Sequence, residues 1–198
     1  MPRRPRREIL YDGCYAHIFS RSLQGQFVFQ EEEDFGYFKN LLGRTKKQYA
    51  YQIYHYCVMN THFHLAVAMD RLIEFSKALK EIKEGYTRWF RRKYGGDGPL
   101  WRGRFGSQLI ENETYLLACG LYIESNPVRA GMVQKAEDWL HSSSRHYLLG
   151  QCDRLVDPYD VPAREKAEQA SHGIDFQRGR AIGSKLFVLH VQQNTLQD

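Results

Sequence analysis

The sequence predicts an α+β fold, one domain in which a central antiparallel sheet of four or five strands is flanked by helices. Three observations carry this reading. His62 to Met69 alternates: His62, His64, Ala66 and Ala68 share one parity, and Phe63, Leu65, Val67 and Met69 the other, the period of a half-buried strand. Tyr51 to Val58 is a second strand-forming run, separated from the first only by the turn material around Asn60-Thr61, so the two form a hairpin. Helical apolar stripes also recur, at Phe75, Leu79, Ile82, Tyr86 and Phe90, and at Leu116, Leu117, Gly120, Leu121 and Ile123.

The elements follow in order. Residues 1–8 are a basic arm, with Arg3, Arg4, Arg6 and Arg7 and no acid before Glu8. The main domain spans 9–150. Cys14 to Phe19 reads as the first strand, ending near Ser20. Glu31 to Asp34 places acids in the first turn of a helix, where the macrodipole favours them, and Phe35, Phe38, Leu41 and Leu42 continue it. Ile73 to Tyr94 is a long helix stopped by Gly95-Gly96-Asp97-Gly98-Pro99. Trp101 to Ile110 reads as another strand, and Glu113 to Ser125 as a helix that Pro127 ends or kinks. Trp139 to Ser144 closes the domain. Residues 151–198 are a linker and a C-terminal helical tail, with a polar helix over 163–171 and an apolar-periodic one over 182–191.

A chain of 198 residues with 42% hydrophobic content can bury a real core. The net charge of +5 points to a polyanionic partner, and its distribution says more than its total. From Lys77 to Arg104 there are nine Lys and Arg against three Asp and Glu. Cys14, Cys57, Cys119 and Cys152 show no CxxC spacing, which excludes a zinc knuckle and a dithiol redox motif and fits reduced thiols in the cytoplasm. No run resembles a signal peptide or approaches the roughly 20 apolar residues of a membrane span.

The even face of the 62–69 strand carries two imidazoles about 7 Å apart at the backbone. That is half of a metal site. Tyr122 and Asn126 lie four apart on one helix and so share a face, about 6 Å apart. A tyrosine hydroxyl, with a pKa of about 10, becomes a useful nucleophile beside a metal. The Asn126 amide oxygen completes a neutral three-ligand set with His62 and His64, leaving the ion's charge for a phosphate. Such a site suits Mn²⁺ or Mg²⁺, with imidazole favouring Mn²⁺. Taken alone, a histidine pair on a strand is more often structural or on the surface than metal-binding. The other histidines (His17, His55, His141, His146, His172 and His190) stand singly and read as structural or solvent-facing.

Arg88 to Tyr94 and Trp101-Arg102-Gly103-Arg104-Phe105 interleave cations with rings. Phosphates want the first and unstacked bases the second. The Arg88 run reads equally well as a solvated helix face, and the N-terminal arm as a groove-binding segment or a solubility tail.

Several blocks, in order over about residues 3–150, resemble a known family. They are Tyr56-Cys57-Val58-Met59-Asn60-Thr61-His62-Phe63-His64-Leu65, Leu100 to Phe105, Tyr115 to Cys119, Tyr122 to Val133, and Trp139 to Ser143. Together they are similar to the IS200-like single-tyrosine transposases, and most closely to the REP-associated tyrosine transposases of bacteria. The resemblance implies a ferredoxin-like domain, a metal site at His62 and His64, the nucleophile at Tyr122, and a third ligand one turn later at Asn126. Insertion-sequence relatives commonly have Gln there, so the shorter Asn is a departure from them. Tyr115 also lies in a matching block but has no amide four residues later.

The implied reaction is cleavage of single-stranded DNA with Mg²⁺ or Mn²⁺. Tyr122 attacks in line, forms a 5′-phosphotyrosine and releases a 3′-OH that can rejoin DNA. No nucleotide cofactor is needed. The implied substrate is a hairpin-forming, REP-like palindromic repeat; the basic arm (Arg3, Arg4, Arg6 and Arg7) and Trp101, Arg102 and Arg104 are the candidates for holding it. Insertion-sequence relatives are obligate dimers and the REP-associated branch, with its extra tail, is expected to work differently, so the resemblance leaves a monomer or a homodimer open, in the cytoplasm and associated with the nucleoid. Gly179 to Val188 resembles a tail element of longer members that grips DNA or covers the site. Two other classes compete: a structured-DNA binder without catalysis, and a hydrolytic nuclease whose cleavage would survive Tyr122→Phe.

Overall fold

The computed structural model describes residues 9–172, 174, 176, 181–185 and 187–188. Arg3, Arg4, Arg6 and Arg7 therefore lie outside the described residues. The strands are β1 (Tyr15–Arg21), β2 (Tyr51–Met59), β3 (His62–Met69), β4 (Gly106–Ile110) and β5 (Ala181–Ile182). The helices are α1 (Glu32–Tyr49), α2 (Leu72–Tyr94), α3 (Glu113–Glu124), α4 (Asn126–Arg129), α5 (Ser144–Leu149) and α6 (Arg164–Ser171). The sheet order is β2-β3-β1-β4-β5. With chain order β1-α1-β2-β3-α2-β4, the first four strands form the split βαβ arrangement of a ferredoxin-like fold.

The expected hairpin forms, with Asn60 and Thr61 as its two-residue turn. Parity along β3 then divides the molecule into two layers. Phe63, Leu65, Val67 and Met69 are wholly buried under α1 and α2, with the Phe63 ring 4.9 Å from that of Phe38 and 5.7 Å from that of Trp101. Ala66 packs on the other face, in the cluster built by α3. The start of α1 is fixed by Asp34, whose carboxylate accepts the Gln30 and Glu31 backbone N–H groups at 2.7 and 2.9 Å.

Four expectations change. The sheet is mixed rather than antiparallel, because β5 pairs parallel with β4 after the chain has crossed the far face through α3 and α6. Ile182 lies in that strand, not at the start of a helix; Lys185, Phe187 and Val188 are helical, as expected, with the Val188 N–H donating to the Ser184 carbonyl at 3.0 Å, and residues 186 and 189–191 lie outside the described residues. Trp101 to Phe105 is not strand: Trp101 makes an isolated bridge to Ser22, and Gly103 turns the chain at φ +70°. Strand β1 runs on to Arg21, because Arg21 pairs with His62.

The segment expected to be a linker is docked. Lys46 Nζ binds both carboxylate oxygens of Asp157 at 2.9 Å, and Ile53 N–H donates to Asp157 at 2.8 Å. Helix α6 packs on α3. Among the described residues no helix is long and apolar enough to cross a membrane.

Candidate active site

Residues opposite one another in antiparallel strands share a face. Arg21 pairs with His62, Phe19 with both His64 and Gly106, and His17 with both Ala66 and Gln108. The face opposite α1 and α2 thus carries His17, Phe19 and Arg21 from β1, His62 and His64 from β3, and Gln108 from β4. Gly106 is required here, since a Cβ at that position would run into the Phe19 ring.

Helix α3 lies over this face and carries Tyr122. Asn112 caps its start, its side chain accepting from Thr114 N and Tyr115 N at 3.1 and 3.3 Å. Gly120 lets the helix approach the sheet, because a Cβ there would collide with the His55 ring. Its end is pinned by Glu124, whose Oε1 lies 2.9 Å from His55 Nδ1 and accepts the Ser143 hydroxyl at 2.6 Å. Tyr122 is thereby held between two anchors.

The Tyr122 ring stands nearly perpendicular to those of His17 and His64, at 6.1 and 6.2 Å between centroids. Phe176 stacks on it at 4.6 Å, and the Arg129 guanidinium carbon lies 4.7 Å from its centroid. These neighbours leave Tyr122 only 7% exposed, beside a cavity of about 490 Å³.

The lone pairs on this face are sorted by hydrogen bonding. His62 Nδ1 meets Thr61 Oγ1 at 2.8 Å, and His64 Nδ1 meets His17 Nε2 at 2.9 Å. Among the described residues, neither Nε2 makes a further hydrogen bond. Asn126 Nδ2 donates to the Tyr122 and Ile123 carbonyls at 3.0 and 3.1 Å, and among the described residues no donor meets its Oδ1. The His62 and His64 rings lie 5.1 Å apart at 84°. No three His, Cys, Asp or Glu side chains form a metal cluster among the described residues. Burial lowers the pKa values of His17 and His62 to about 4 and that of His64 well below the usual histidine range, with Arg21 adding to the effect on His62 and His64. All three rings are neutral at pH 7, the form a cation requires.

The expected DNA contacts fare unequally. Trp101 is a core residue, 6% exposed, its indole N–H donating to the Lys83 carbonyl at 3.2 Å, so it offers no open stacking surface. Arg102 and Arg104 are exposed. Sequence reasoning missed Arg21, Arg129 and Gln108, and set His17 aside as solitary. The signal for His17 and Arg21 was their parity on β1, which means little until the register with β3 is known.

A second feature was also missed. An open cleft of about 960 Å³ lies at the β2 edge between α1 and the 140–155 segment. Lys39, Lys47, Arg145 and Arg154 line it and have no ion pair among the described residues. Its one lining carboxylate, Asp153, is occupied by the Tyr56 hydroxyl at 2.7 Å.

A strand pair of histidines facing a helix-borne tyrosine, on a ferredoxin-like sheet, defines the class. Residues 11–126 match the family described as "Transposase IS200 like", and the chain belongs to that family. Within it, the chain is similar to the REP-associated tyrosine transposases. A Haemophilus influenzae protein so described is 26% identical over 149 residues, covering 70% of this chain and 83% of that protein. The solved structure of a REP-associated tyrosine transposase bound to a REP hairpin shares the fold with a TM-score of 0.64 and 20% identity, covering 93% of this chain and 98% of that one.

Proposed function

We propose that this protein is a metal-dependent transesterase that cleaves and rejoins hairpin-forming, REP-like DNA through Tyr122. Two imidazole lone pairs, on His62 Nε2 and His64 Nε2, are left over among the described residues on the sheet face that Tyr122 packs against, and this single observation carries the reading; Asn126 Oδ1, one turn after Tyr122, is the third donor of the proposal. The donor set fits Mn²⁺ or Mg²⁺. A divalent ion held there supplies Lewis-acid polarisation of a scissile phosphate.

The chain's own residues supply the rest. The Tyr122 oxygen attacks phosphorus as its proton leaves to solvent. The P–O3′ bond breaks, the 3′ oxygen takes up a proton, and a 5′-phosphotyrosine remains. Attack by a 3′-OH on that ester reverses the step, so the phosphodiester is conserved. Arg21, exposed beside His62, is placed to offset charge on the phosphate. The REP-hairpin ligand of the structural relative and the basic cleft both support a hairpin substrate.

A second reading has one observation in its favour. Phe176 and Arg129 cover Tyr122, as in a protein that grips DNA without cutting it. One experiment separates the two: labelled hairpin DNA with Mn²⁺, resolved on a denaturing gel, for wild type, Tyr122→Phe and Phe176→Ala. Label should migrate with wild-type and Phe176→Ala protein and be lost in Tyr122→Phe. No adduct from either of the first two, with hairpin binding retained, supports the binding module. Cleavage that persists in Tyr122→Phe supports a hydrolytic nuclease.

A further inference from the structure

One chain of hydrogen bonds crosses the sheet along the candidate metal face and takes a residue from each of three strands. Gln108 Oε1 on β4 lies 2.8 Å from His17 Nδ1 on β1, and His17 Nε2 lies 2.9 Å from His64 Nδ1 on β3. Gln108 and His17 are direct cross-strand partners, whereas His17 and His64 are diagonal. The diagonal is within reach of a long aromatic side chain. It is open here because the residue opposite His17 is Ala66, whose single methyl leaves the ring room to lean toward His64. The His17 and His64 rings stack at 5.1 Å and 19°. Both are buried, at 0 and 4% exposure, so water does not compete for these bonds.

The polarity of this chain follows from the atoms at its end. An amide oxygen only accepts, so the proton between Gln108 and His17 sits on His17 Nδ1. A neutral imidazole carries one N–H, which leaves His17 Nε2 as an acceptor. His64 Nδ1 must then donate, and the nitrogen of His64 without a proton is Nε2. His62 has no such constraint, because its Nδ1 meets a hydroxyl, Thr61 Oγ1, which can donate or accept.

We propose that His17 and Gln108 are positioning residues that set the tautomer of His64, presenting its Nε2 as a lone pair to a divalent cation. The relay rests on the metal-site reading above, and it gives a buried polar pair a purpose that packing alone does not. A ligating histidine whose second nitrogen is held by an acceptor is fixed in both tautomer and orientation, and loss of that acceptor typically costs about 10- to 100-fold in metal affinity. The acceptor here is another histidine, itself set by Gln108, so two residues that touch neither metal nor DNA tune the site.

The test needs no DNA. Long-range ¹H–¹⁵N spectra of the metal-free full-length chain assign the proton on each histidine, and a Mn²⁺ titration gives affinity. In wild type His64 should carry its proton on Nδ1. His17→Phe keeps a flat ring but removes the acceptor; His64 should lose its single tautomer and Mn²⁺ binding should weaken by about 10- to 100-fold. His17→Gln restores an acceptor oxygen near the same place and should stay within about threefold of wild type, an outcome that lost packing alone would not produce. Gln108→Leu should reproduce the His17→Phe result if the latter does not fold. The His62 tautomer should be unmoved throughout. A wild-type His64 protonated on Nε2 would overturn the proposal, as would an unchanged tautomer and Mn²⁺ affinity in both His17→Phe and Gln108→Leu. A chain that shows the relay yet forms no DNA adduct would count against the transesterase and in favour of the relay, so the two can fail separately.

Discussion

The two faces of the sheet are built from the same strands and do opposite things. One face of β3 places Phe63, Leu65, Val67 and Met69, all wholly buried, against α1 and α2. The other places His62 and His64 with His17 and Gln108, a polar layer in which most nitrogens are spoken for and a few lone pairs are not. A strand's period of two makes these faces inseparable, since a slip of one residue would send every histidine into the core. The apolar face therefore does more than stabilise. It fixes the register, and the register fixes which donors converge. The layers differ in how much each tolerates: the packed face should answer to volume, the other to the identity of single atoms.

Adjacent residues give the sharpest way to break this contrast. Phe63→Ala should cost about 3–5 kcal/mol, a large share of the 5–15 kcal/mol typical of a domain. His62→Ala, at a half-buried position whose side-chain hydrogen bond is to its own neighbour Thr61, should cost no more than about 1 kcal/mol. The effects on Mn²⁺-dependent adduct formation should be reversed: abolished in His62→Ala, and retained per folded molecule in Phe63→Ala at low temperature. Urea melts alongside the gel assay read both. Equal destabilisation by the two variants would mean that the faces do not divide as described.

Acid should act through the polar face. The folded pKa of His17 is about 4, against an ordinary value near 6.5. Between those values the unfolded chain binds a proton that the native chain refuses. His17 therefore leaves stability intact above pH 6.5, erodes it as pH falls from 6.5 to 4, and adds no further loss below that. Each fully buried neutral histidine of this kind contributes a slope of about 1.4 kcal/mol per pH unit inside its window. Denaturant melts of metal-free protein from pH 7 to 4.5 should show the decline, and His17→Gln should flatten it by one proton. A flat profile in wild type would refute the assignment.

How much of this was legible beforehand follows from the range of the forces involved. The β3 alternation, the hairpin and the α2 stripe are local patterns, and each element appears where its residues put it. Tyr122 and Asn126 share a helix-to-helix corner, so their proximity was also local. The His17–Gln108–His64 chain joins residues 91 and 47 positions apart through pairings that no local period encodes. Trp101 misled for a related reason. Beside arginines and glycines it reads as exposed, yet tertiary packing turns its ring onto Phe29 and Phe63. Phe176 arrives from a tail whose docking depends on contacts with α3. Ile182 was misread because two residues of parallel strand carry too little pattern to register against a helical one.

The smallest predicted effect asks whether the contrast extends beyond the sheet. The basic cleft lies at the β2 edge on the α1 side, whereas Tyr122 lies under α3 on the other. If the α1 side serves only stability, neutralising Lys39, Lys47 and Arg154 should leave DNA binding alone. If a hairpin stem rests there, each lost phosphate contact should lower the slope of log affinity against log salt by about 0.9 for duplex DNA. The triple Gln variant would then lose up to about 2.7 in slope, with affinity falling most at low salt. Adduct formation on a short single strand lacking a stem should not change, because that substrate has nothing to place in the cleft. Lys39 and Lys47 lie eight apart on α1, about 12 Å along the helix axis, and so can meet phosphates spaced along a backbone rather than one compact anion. A variant with unchanged slope would confine DNA contacts to the α3 side and return the α1 layer to a purely structural role.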